Sequence, residues 1–272
     1  MKVLSKLNPA FIGIVVLIIS ITSCATNPYA PTNKVYKKQA KELAKTIRQT
    51  PPPVPGQDWA GTTNFNLRKP NFVIIHHTAQ NSTEQTLKTF TLVRTKVSAH
   101  YVIGKDGKVY QMLNDYLRAW HAGNSKWGNL SDINSSSIGI ELDNDGYTPF
   151  TEPQITSLLE VLATLKKNYD IPVANFIGHA DIAPKRKNDP NITFPWKKLA
   201  EKGFGNWQDS ILTENVPENF NTKEALRIIG YDTSDITAAI KAFKLHFIQT
   251  DVSAVLTLED KKVLYNLYKK YL

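Results

Sequence analysis

The sequence predicts an α/β fold in which a mixed central sheet is flanked by helices, followed by a small C-terminal module of three helices. Two observations predict the sheet: short apolar runs have the length of buried strands, and longer amphipathic segments lie between them. A third predicts the module, because apolar stripes at helical spacing follow candidate capping threonines after residue 207. The hydrophobic content of 42% is that of a soluble globular protein with a real core.

The N-terminus predicts a signal peptide at residues 1–23. Two lysines precede an apolar stretch at residues 11–21, which is too short to span a bilayer and has the length of a signal-peptide core. The stretch ends in Ile-Thr-Ser-Cys, which resembles a bacterial lipobox and implies cleavage before Cys24 and lipidation of that residue. The alternative is a short membrane anchor that ends in a chance cysteine.

Residues 24–60 are predicted to be a tether. A lysine-rich stretch of helical propensity at residues 36–49 is followed by Thr-Pro-Pro-Pro-Val-Pro-Gly, which favours extended polyproline geometry. Such a semi-rigid spacer lifts a domain off a membrane surface. Because Ala25 follows the cysteine where an aspartate could stand, the pattern resembles outer-membrane sorting, and we expect a lipid-anchored protein of the bacterial outer membrane that faces the periplasm.

The predicted first domain, residues 61–207, alternates strands with helices. Its strands are apolar runs, and its helices begin at a serine or threonine followed three positions later by glutamine, the capping-box spacing. In chain order we predict a strand at residues 72–75, a helix from Ser82 to about residue 93, a hairpin of residues 100–104 and 108–113 around Asp106-Gly107, a strand at Ser137–Leu142, a helix at Glu152–Tyr169 and a strand at residues 173–177.

Residues 178–190, G-H-A-D-I-A-P-K-R-K-N-D-P, follow the last strand and are predicted to form a loop that carries the chemistry. His179 follows this strand, His76 follows the strand at residues 72–75, and Asp189 returns at the end of the loop. If the two strands are neighbours, the three side chains meet at one sheet edge and leave a fourth tetrahedral position open, as in catalytic zinc sites. The alternative is a polar loop with a capping aspartate.

Two further charged residues complete the predicted site. Glu141 lies in the apolar strand S-I-G-I-E-L, where a carboxylate is costly to bury, and it could take a proton from water at the metal. The alternative is a strand residue that faces solvent. Lys187 could stabilise a developing oxyanion. His100 is expected to be packed or to support the site rather than to bind metal.

Composition narrows the classes of partner. The formal net charge of +9 indicates an anionic partner, either nucleic acid or an acidic polymer of the cell envelope. The sequence has no arginine-rich run and no nucleic-acid motif, so we expect no nucleic acid. A single cysteine excludes an internal disulfide and a cysteine-cluster metal site.

Five ordered blocks resemble the zinc-dependent N-acetylmuramoyl-L-alanine amidases of the amidase-2 type. They are I-I-H-H-T-A at residues 74–79, S-A-H-Y at 98–101, A-W-H-A-G at 119–123, S-I-G-I-E-L at 137–142 and the block at 178–190. The resemblance covers roughly residues 71–207. It implies hydrolysis of the amide between N-acetylmuramic acid and L-alanine in peptidoglycan or its fragments, with Zn²⁺ as cofactor. We expect the protein to be a monomer.

The resemblance also implies roles for individual residues. His76, His179 and Asp189 would bind zinc, Glu141 would be the general base and Lys187 would assist the transition state. The groove for peptidoglycan would be lined by His77, Thr78, Trp120, His121 and Ala122. The alternatives are an inactive peptidoglycan-binding protein on the same fold and a metallopeptidase that cuts within the stem peptide. A complete ligand set together with Glu141 favours an enzyme.

Residues 208–272 are predicted to form the helical module, with Thr222, Thr233 and Thr257 as candidate N-caps. The segments at residues 225–231 and 240–247 resemble the three-helix peptidoglycan-binding module. The alternative is a helical domain that packs against the first domain and binds no ligand. His246 is expected to be structural.

Overall fold

A computed structural model describes residues 27–48, 62–64, 66–212 and 215–272 of the chain. Their contacts divide the chain into two compact units, and the division falls between Thr63 and Asn64 in the sequence. The predicted signal peptide, Cys24 and the proline-rich part of the tether lie outside the described residues. In the first unit, helix α1 (Ala30–Arg48) starts earlier than predicted. Within the described ranges, no helix has the length and apolar character of a bilayer span.

The second unit contains a five-stranded mixed sheet, as the sequence predicts. Its strands are β1 (Phe72–His77), β2 (Tyr101–Ile103), β3 (Val109–Gln111), β4 (Ser137–Leu142) and β5 (Phe176–Gly178). The spatial order is β3-β2-β4-β1-β5, in which only the β2–β3 hairpin is antiparallel. β1 therefore lies between β4 and β5, and the carboxyl ends of all three point to the same edge.

The helices of this unit surround the sheet. They are α2 (Thr83–Thr91), α3 (Glu152–Tyr169), α4 (His179–Ile182), α5 (Trp196–Glu201), α6 (Thr222–Ile229), α7 (Ile236–Phe243) and α8 (Leu258–Lys270). The predicted caps of α2 and α3 are confirmed, since Ser82 and Thr151 each accept a hydrogen bond from the backbone of a glutamine. Along α3, leucines and an isoleucine at helical spacing bury one face against Val73, Ile75 and Ile140 of the sheet.

The second face of the sheet is covered by the C-terminal helices. Ile74 of β1 and Ile177 of β5 share one buried cluster with Leu226 of α6, Phe243 of α7 and Leu264 of α8. Residues 64–272 accordingly form one compact unit that includes the segment predicted as a separate module. At about 25 cal/mol per Å² of apolar surface, this shared core contributes to the stability of both segments.

Four local predictions are wrong. Residues Val173–Asn175 form a 3₁₀ turn, so β5 begins only at Phe176, and residues 179–182 form the helical turn α4 instead of a loop. Helix α6 is capped by Asn221 and α7 by Asp235, not by the neighbouring threonines, because asparagine and aspartate cap at least as well and lie one position before the helix. The predicted cap of α8 by Thr257 is confirmed.

Candidate active site

The ends of β1 and β5 place two histidines side by side. His76 is buried near the end of β1, and His179 is buried as the first residue of α4, directly after β5. Their Nδ1 atoms lie 2.9 Å apart, and Asp189 Oδ2 lies 3.1 Å from each of them. The structure therefore brings together the three residues that the sequence singles out, with one donor atom from each at the corners of a small triangle.

The charges of these three groups depend on one another. Burial, followed by the neighbouring His179, lowers the pKa of His76 to about 4, although Asp189 opposes the change. Burial alone would raise the pKa of Asp189, but hydrogen bonds and charge from His179 and His76 outweigh it and hold this pKa below its ordinary value. At neutral pH the cluster thus offers a neutral imidazole at His76 and an ionised carboxylate.

The other ring nitrogen of His179 faces the carbonyl of Ala122 at 3.1 Å. Because a carbonyl only accepts, Nε2 of His179 carries the proton and Nδ1 presents its lone pair to the cluster. The same carbonyl accepts a hydrogen bond from Arg186, whose Nε also donates to the carbonyl of Asn124 at 2.9 Å. Arg186 thereby fixes the backbone that orients His179.

A chain of hydrogen bonds sets the orientation of His76. Its Nε2 lies 3.1 Å from Nδ1 of His121, His121 Nε2 lies 3.1 Å from Ser137 Oγ, and Ser137 donates to the carbonyl of Ile133 at 2.7 Å. The carbonyl of Ile133 can only accept a hydrogen bond, so the hydroxyl of Ser137 donates its proton to this carbonyl. The oxygen of Ser137 must then accept a hydrogen bond from Nε2 of His121. His121 in turn accepts from His76, which leaves Nδ1 of His76 as a lone pair directed at the cluster.

Gly139 makes room for this chain. A Cβ atom at Gly139 would lie 2.4 Å from Cγ of His121, so any larger residue would displace the imidazole from the sheet. His100 packs on the same part of β4: its Nδ1 accepts from the backbone of Gly139 at 3.1 Å, and its Nε2 donates to the carbonyl of Leu117 at 2.9 Å. Both nitrogens of His100 are used, as expected for a packed histidine.

The donor set fits zinc. Two imidazole nitrogens and one carboxylate oxygen are ligands that zinc prefers, and three protein ligands leave one position open. Donor atoms around a tetrahedral zinc lie about 3.3 Å apart at normal bond lengths, close to the separations of 2.9 to 3.1 Å seen here. Each histidine also forms a hydrogen bond through its second ring nitrogen, an arrangement typical of metal ligands.

Glu141 lies beside this cluster, since it pairs with His76 across the β1–β4 ladder. Its Oε2 is buried and accepts no hydrogen bond from the described residues. Burial, followed by the charge of Asp189, raises the pKa of Glu141 to about 8, and Lys187 opposes the rise. A carboxylate with a free, buried oxygen is poised to bind a proton, which is the property that a general base needs.

This carboxylate predicts a pH effect on stability in the metal-free protein. Between the ordinary pKa of 4.5 and the raised value of about 8, the folded chain holds a proton that the unfolded chain releases. The resulting stabilisation is complete below pH 4.5 and is lost as the pH rises through about 8. Glutamine does not titrate, so the free energy of unfolding of Glu141→Gln does not show this loss. Between these two pKa values, the difference in stability between the variant and the parent should therefore shift in favour of the variant by up to about 1.4 kcal/mol per pH unit.

Denaturant unfolding of both proteins in chelator, at about pH 5 and about pH 8, measures the effect. Parallel stability curves for variant and parent would show that Glu141 titrates normally.

The structure separates the five residues expected to line a groove. The indole of Trp120 is 53% exposed, whereas His121 and Ala122 are buried behind the cluster. His77 is buried with Nδ1 unpartnered among the described residues, and burial lowers its pKa. The hydroxyl of Thr78 bonds the backbone of the Asn144 loop. Of the five, Trp120 is the one with a largely accessible side chain.

Sequence reasoning gave no role to Ser137, Gly139 or Arg186. One signal for the first two was present, because the alternation of side chains along a strand puts Ser137, Gly139 and Glu141 on one face of β4. Three non-apolar residues on one face of a central strand indicate that something other than a hydrophobic layer covers it. Arg186 had no comparable signal, because its partners are backbone carbonyls distant in the chain.

Comparisons with known proteins agree with the amidase resemblance found in the sequence. A family model described as N-acetylmuramoyl-L-alanine amidase matches residues 66–192. The N-acetylmuramoyl-L-alanine amidase AmiD of Escherichia coli is 33% identical over 231 residues, which cover 73% of this chain and 82% of that protein. The 1,6-anhydro-N-acetylmuramyl-L-alanine amidase AmpD of Haemophilus influenzae is 40% identical over 108 residues, 39% of this chain and 59% of that protein.

Solved structures show the same likeness. E. coli AmiD in complex with anhydro-N-acetylmuramic acid-L-Ala-D-γ-Glu-L-Lys has a TM-score of 0.68 at 30% identity, covering 78% of this chain and 93% of that one. AmpDh3 of Pseudomonas aeruginosa in complex with anhydromuramic pentapeptide has a TM-score of 0.69 at 27% identity, covering 80% and 98%. The likeness therefore extends well beyond the residues that the family model matches.

Proposed function

The chain belongs to the N-acetylmuramoyl-L-alanine amidases, and on this premise we propose that it cleaves the amide between N-acetylmuramic acid and L-alanine at a zinc ion held by His76, His179 and Asp189. The observation that carries the zinc proposal is the triangle of donor atoms about 3 Å apart, in which a hydrogen bond at the second ring nitrogen orients each histidine. All three ligands come from one chain, so we propose that a monomer suffices.

The protein side of the mechanism begins with orientation. When bound, zinc supplies a Lewis acid that polarises a carbonyl and lowers the pKa of water. Ala122 and His121 act as positioning residues, because they fix which nitrogen each histidine presents. This replaces the groove-lining role expected for these two residues. Ser137 and Gly139 hold His121 in place.

Proton transfer falls to Glu141. Its carboxylate accepts the proton of the attacking water and delivers it to the departing amino group of L-alanine. In the metal-free protein, burial raises the pKa of this carboxyl above its ordinary value, which makes it a readier proton acceptor. Lys187 is exposed, and its charge lowers the pKa of Glu141 and of His76, which supports a place for it beside the reacting groups. We assign to it the stabilisation of the oxyanion.

Substrate contacts are assigned to the rim of the site. The exposed indole of Trp120 offers a flat surface for a sugar or peptide, and His77 and Thr78 follow directly after the His76 ligand. The related structures were solved with anhydromuramic peptides of three and five residues, and we propose that this chain takes the same class of fragment.

The test of this function is mass spectrometry of anhydromuropeptides incubated with the purified zinc-loaded protein. An amidase releases intact stem peptide with L-alanine at its N-terminus, together with the free sugar acid. Fragments cut within the stem peptide would identify a metallopeptidase instead. Binding without any product would identify a peptidoglycan-binding protein.

We also propose that lipid on Cys24 holds the enzyme at the outer membrane, facing the periplasm. The support is the Ile-Thr-Ser-Cys motif behind the apolar stretch, and the relatives act on cell-wall material. The Cys24→Ala variant is expected to lose its acyl chains and to leave the membrane fraction, because stable anchoring depends on those chains. Fractionation followed by immunoblotting measures this, and equal membrane retention of variant and parent would refute the anchor.

A further inference from the structure

Asp181 is a buried carboxylate close to the zinc ligands for which the proposed reaction has no use. It lies two residues after His179, and it is 1% exposed. Its Oδ2 accepts from the backbone of Gly178 at 2.7 Å and from Nδ1 of His246 at 2.8 Å, and its Oδ1 accepts from the hydroxyl of Tyr231 at 2.7 Å. An ionised carboxylate only accepts hydrogen bonds, so three donors converge on it.

Two of these donors come from the C-terminal helices. Tyr231 follows α6, and its ring packs edge-on against Trp127 at 5.0 Å. His246 follows α7 and is stacked between Trp196 at 3.8 Å and Phe247 at 4.0 Å. Aromatic packing on this scale holds both donors in fixed positions, so Asp181 is anchored to the helices from two sides.

The third hydrogen bond of Asp181 links this anchored carboxylate to the segment that carries the metal ligands. Its bond to Gly178 closes the first turn of α4, the turn that begins with His179. The same turn is tied to the second ligand segment, because the backbone of Ala180 donates to the carbonyl of Asp189 at 2.8 Å. A shift of Asp181 would therefore move the backbones that carry two of the three donor atoms.

We infer that the C-terminal helices act as a positioning element for the zinc site, and that Tyr231 and His246 hold His179 and Asp189 in register through Asp181. The inference rests on the proposed zinc site. It gives the helices a role in metal binding that is separate from any contact with peptidoglycan. Hydrophobic burial agrees with it, because Ile182 of α4 lies in the core that these helices complete.

The test compares zinc affinity among full-length variants, by competition with a chromophoric chelator. Tyr231→Phe and His246→Leu each remove one donor to Asp181 and keep an apolar side chain of similar bulk. Each should weaken zinc binding, and the double variant should weaken it by about tenfold to a hundredfold, the usual cost of losing support behind a metal ligand. His246→Asn restores an N–H near the position of Nδ1 and should recover part of the loss.

Thr257→Ala is the matched control. It removes the N-cap of α8, which destabilises the same helical segment, and it does not touch Asp181. Zinc affinity equal to the parent is expected for this variant well below its melting temperature. If Thr257→Ala weakens zinc binding as much as Tyr231→Phe does, general destabilisation explains the result and the inference fails.

A double-mutant cycle adds a second criterion. Because Tyr231 is proposed to act through Asp181, Asp181→Asn and Tyr231→Phe should be strongly non-additive in zinc affinity. Additive losses, or unchanged affinity in the donor variants, would overturn the inference. A parent protein that binds no zinc would instead overturn the proposed function, so the two failures are distinguishable.

Discussion

The Glu141→Gln variant is expected to keep its zinc and to lose hydrolysis by about a hundredfold to ten-thousandfold, the usual contribution of a positioned general base. Glutamine has the size of glutamate, so the strand and its contacts persist. An amide cannot accept the proton of the attacking water, so the variant lacks the proposed general base. The loss should appear in the chemical step and not in substrate binding.

Single-turnover hydrolysis of an anhydromuropeptide, with metal analysis of the same preparation, measures both quantities. Glu160→Gln is the control, because it makes the same chemical change at an exposed position of α3. It should turn over like the parent. Wild-type turnover by fully zinc-loaded Glu141→Gln would remove Glu141 from the mechanism, and loss of zinc from this variant alone would identify Glu141 as a ligand or a structural residue.

The Asp189→Asn variant is expected to lose zinc and activity together. The carboxylate is the one negatively charged donor of the triangle, and its contacts with His76 and His179 are what hold its pKa low. Asparagine keeps the shape but withdraws the charge. Substitution of a residue that forms a hydrogen bond with a metal ligand usually weakens metal binding by about tenfold to a hundredfold, and the loss of zinc affinity in Asp189→Asn should be larger.

Zinc content after dialysis against a weak chelator, together with hydrolysis at added zinc, measures this result. Asp132→Asn changes an exposed aspartate that pairs with Arg118, and it should keep both zinc and activity. Stoichiometric zinc in Asp189→Asn would show that the metal uses other donors. High activity in the metal-depleted variant would refute zinc chemistry altogether.

Much of the fold and the cluster was predictable because their signals are local. Apolar runs of strand length that end in histidine place His76 and His179 at one sheet edge once β1 and β5 are neighbours, and the structure has them paired. Glu141 was conspicuous because a charged residue in an apolar strand has few structural explanations.

Other features depend on contacts between distant residues and have no local signal. The sequence places His121 in the block A-W-H-A-G next to exposed Trp120. The imidazole of His121 is nevertheless buried, because it forms a hydrogen bond with Ser137 and occupies the space that the missing Cβ of Gly139 leaves free. The boundary after residue 207 followed from a change in composition, but apolar stripes do not reveal which surface they cover. Ile74 and Ile177 show that surface to be the sheet itself.

The shared core on the second face of the sheet also governs when the protein becomes an enzyme during its synthesis. The strand that ends in His76 is among the first elements made, and α8, whose Leu264 and Leu267 complete the core over that strand, is the last. A nascent chain that has not reached α8 lacks Leu264 and Leu267 of this core. A nonsense mutation between Asp189 and this helix should therefore yield a product without amidase activity, even though every proposed catalytic residue has been translated.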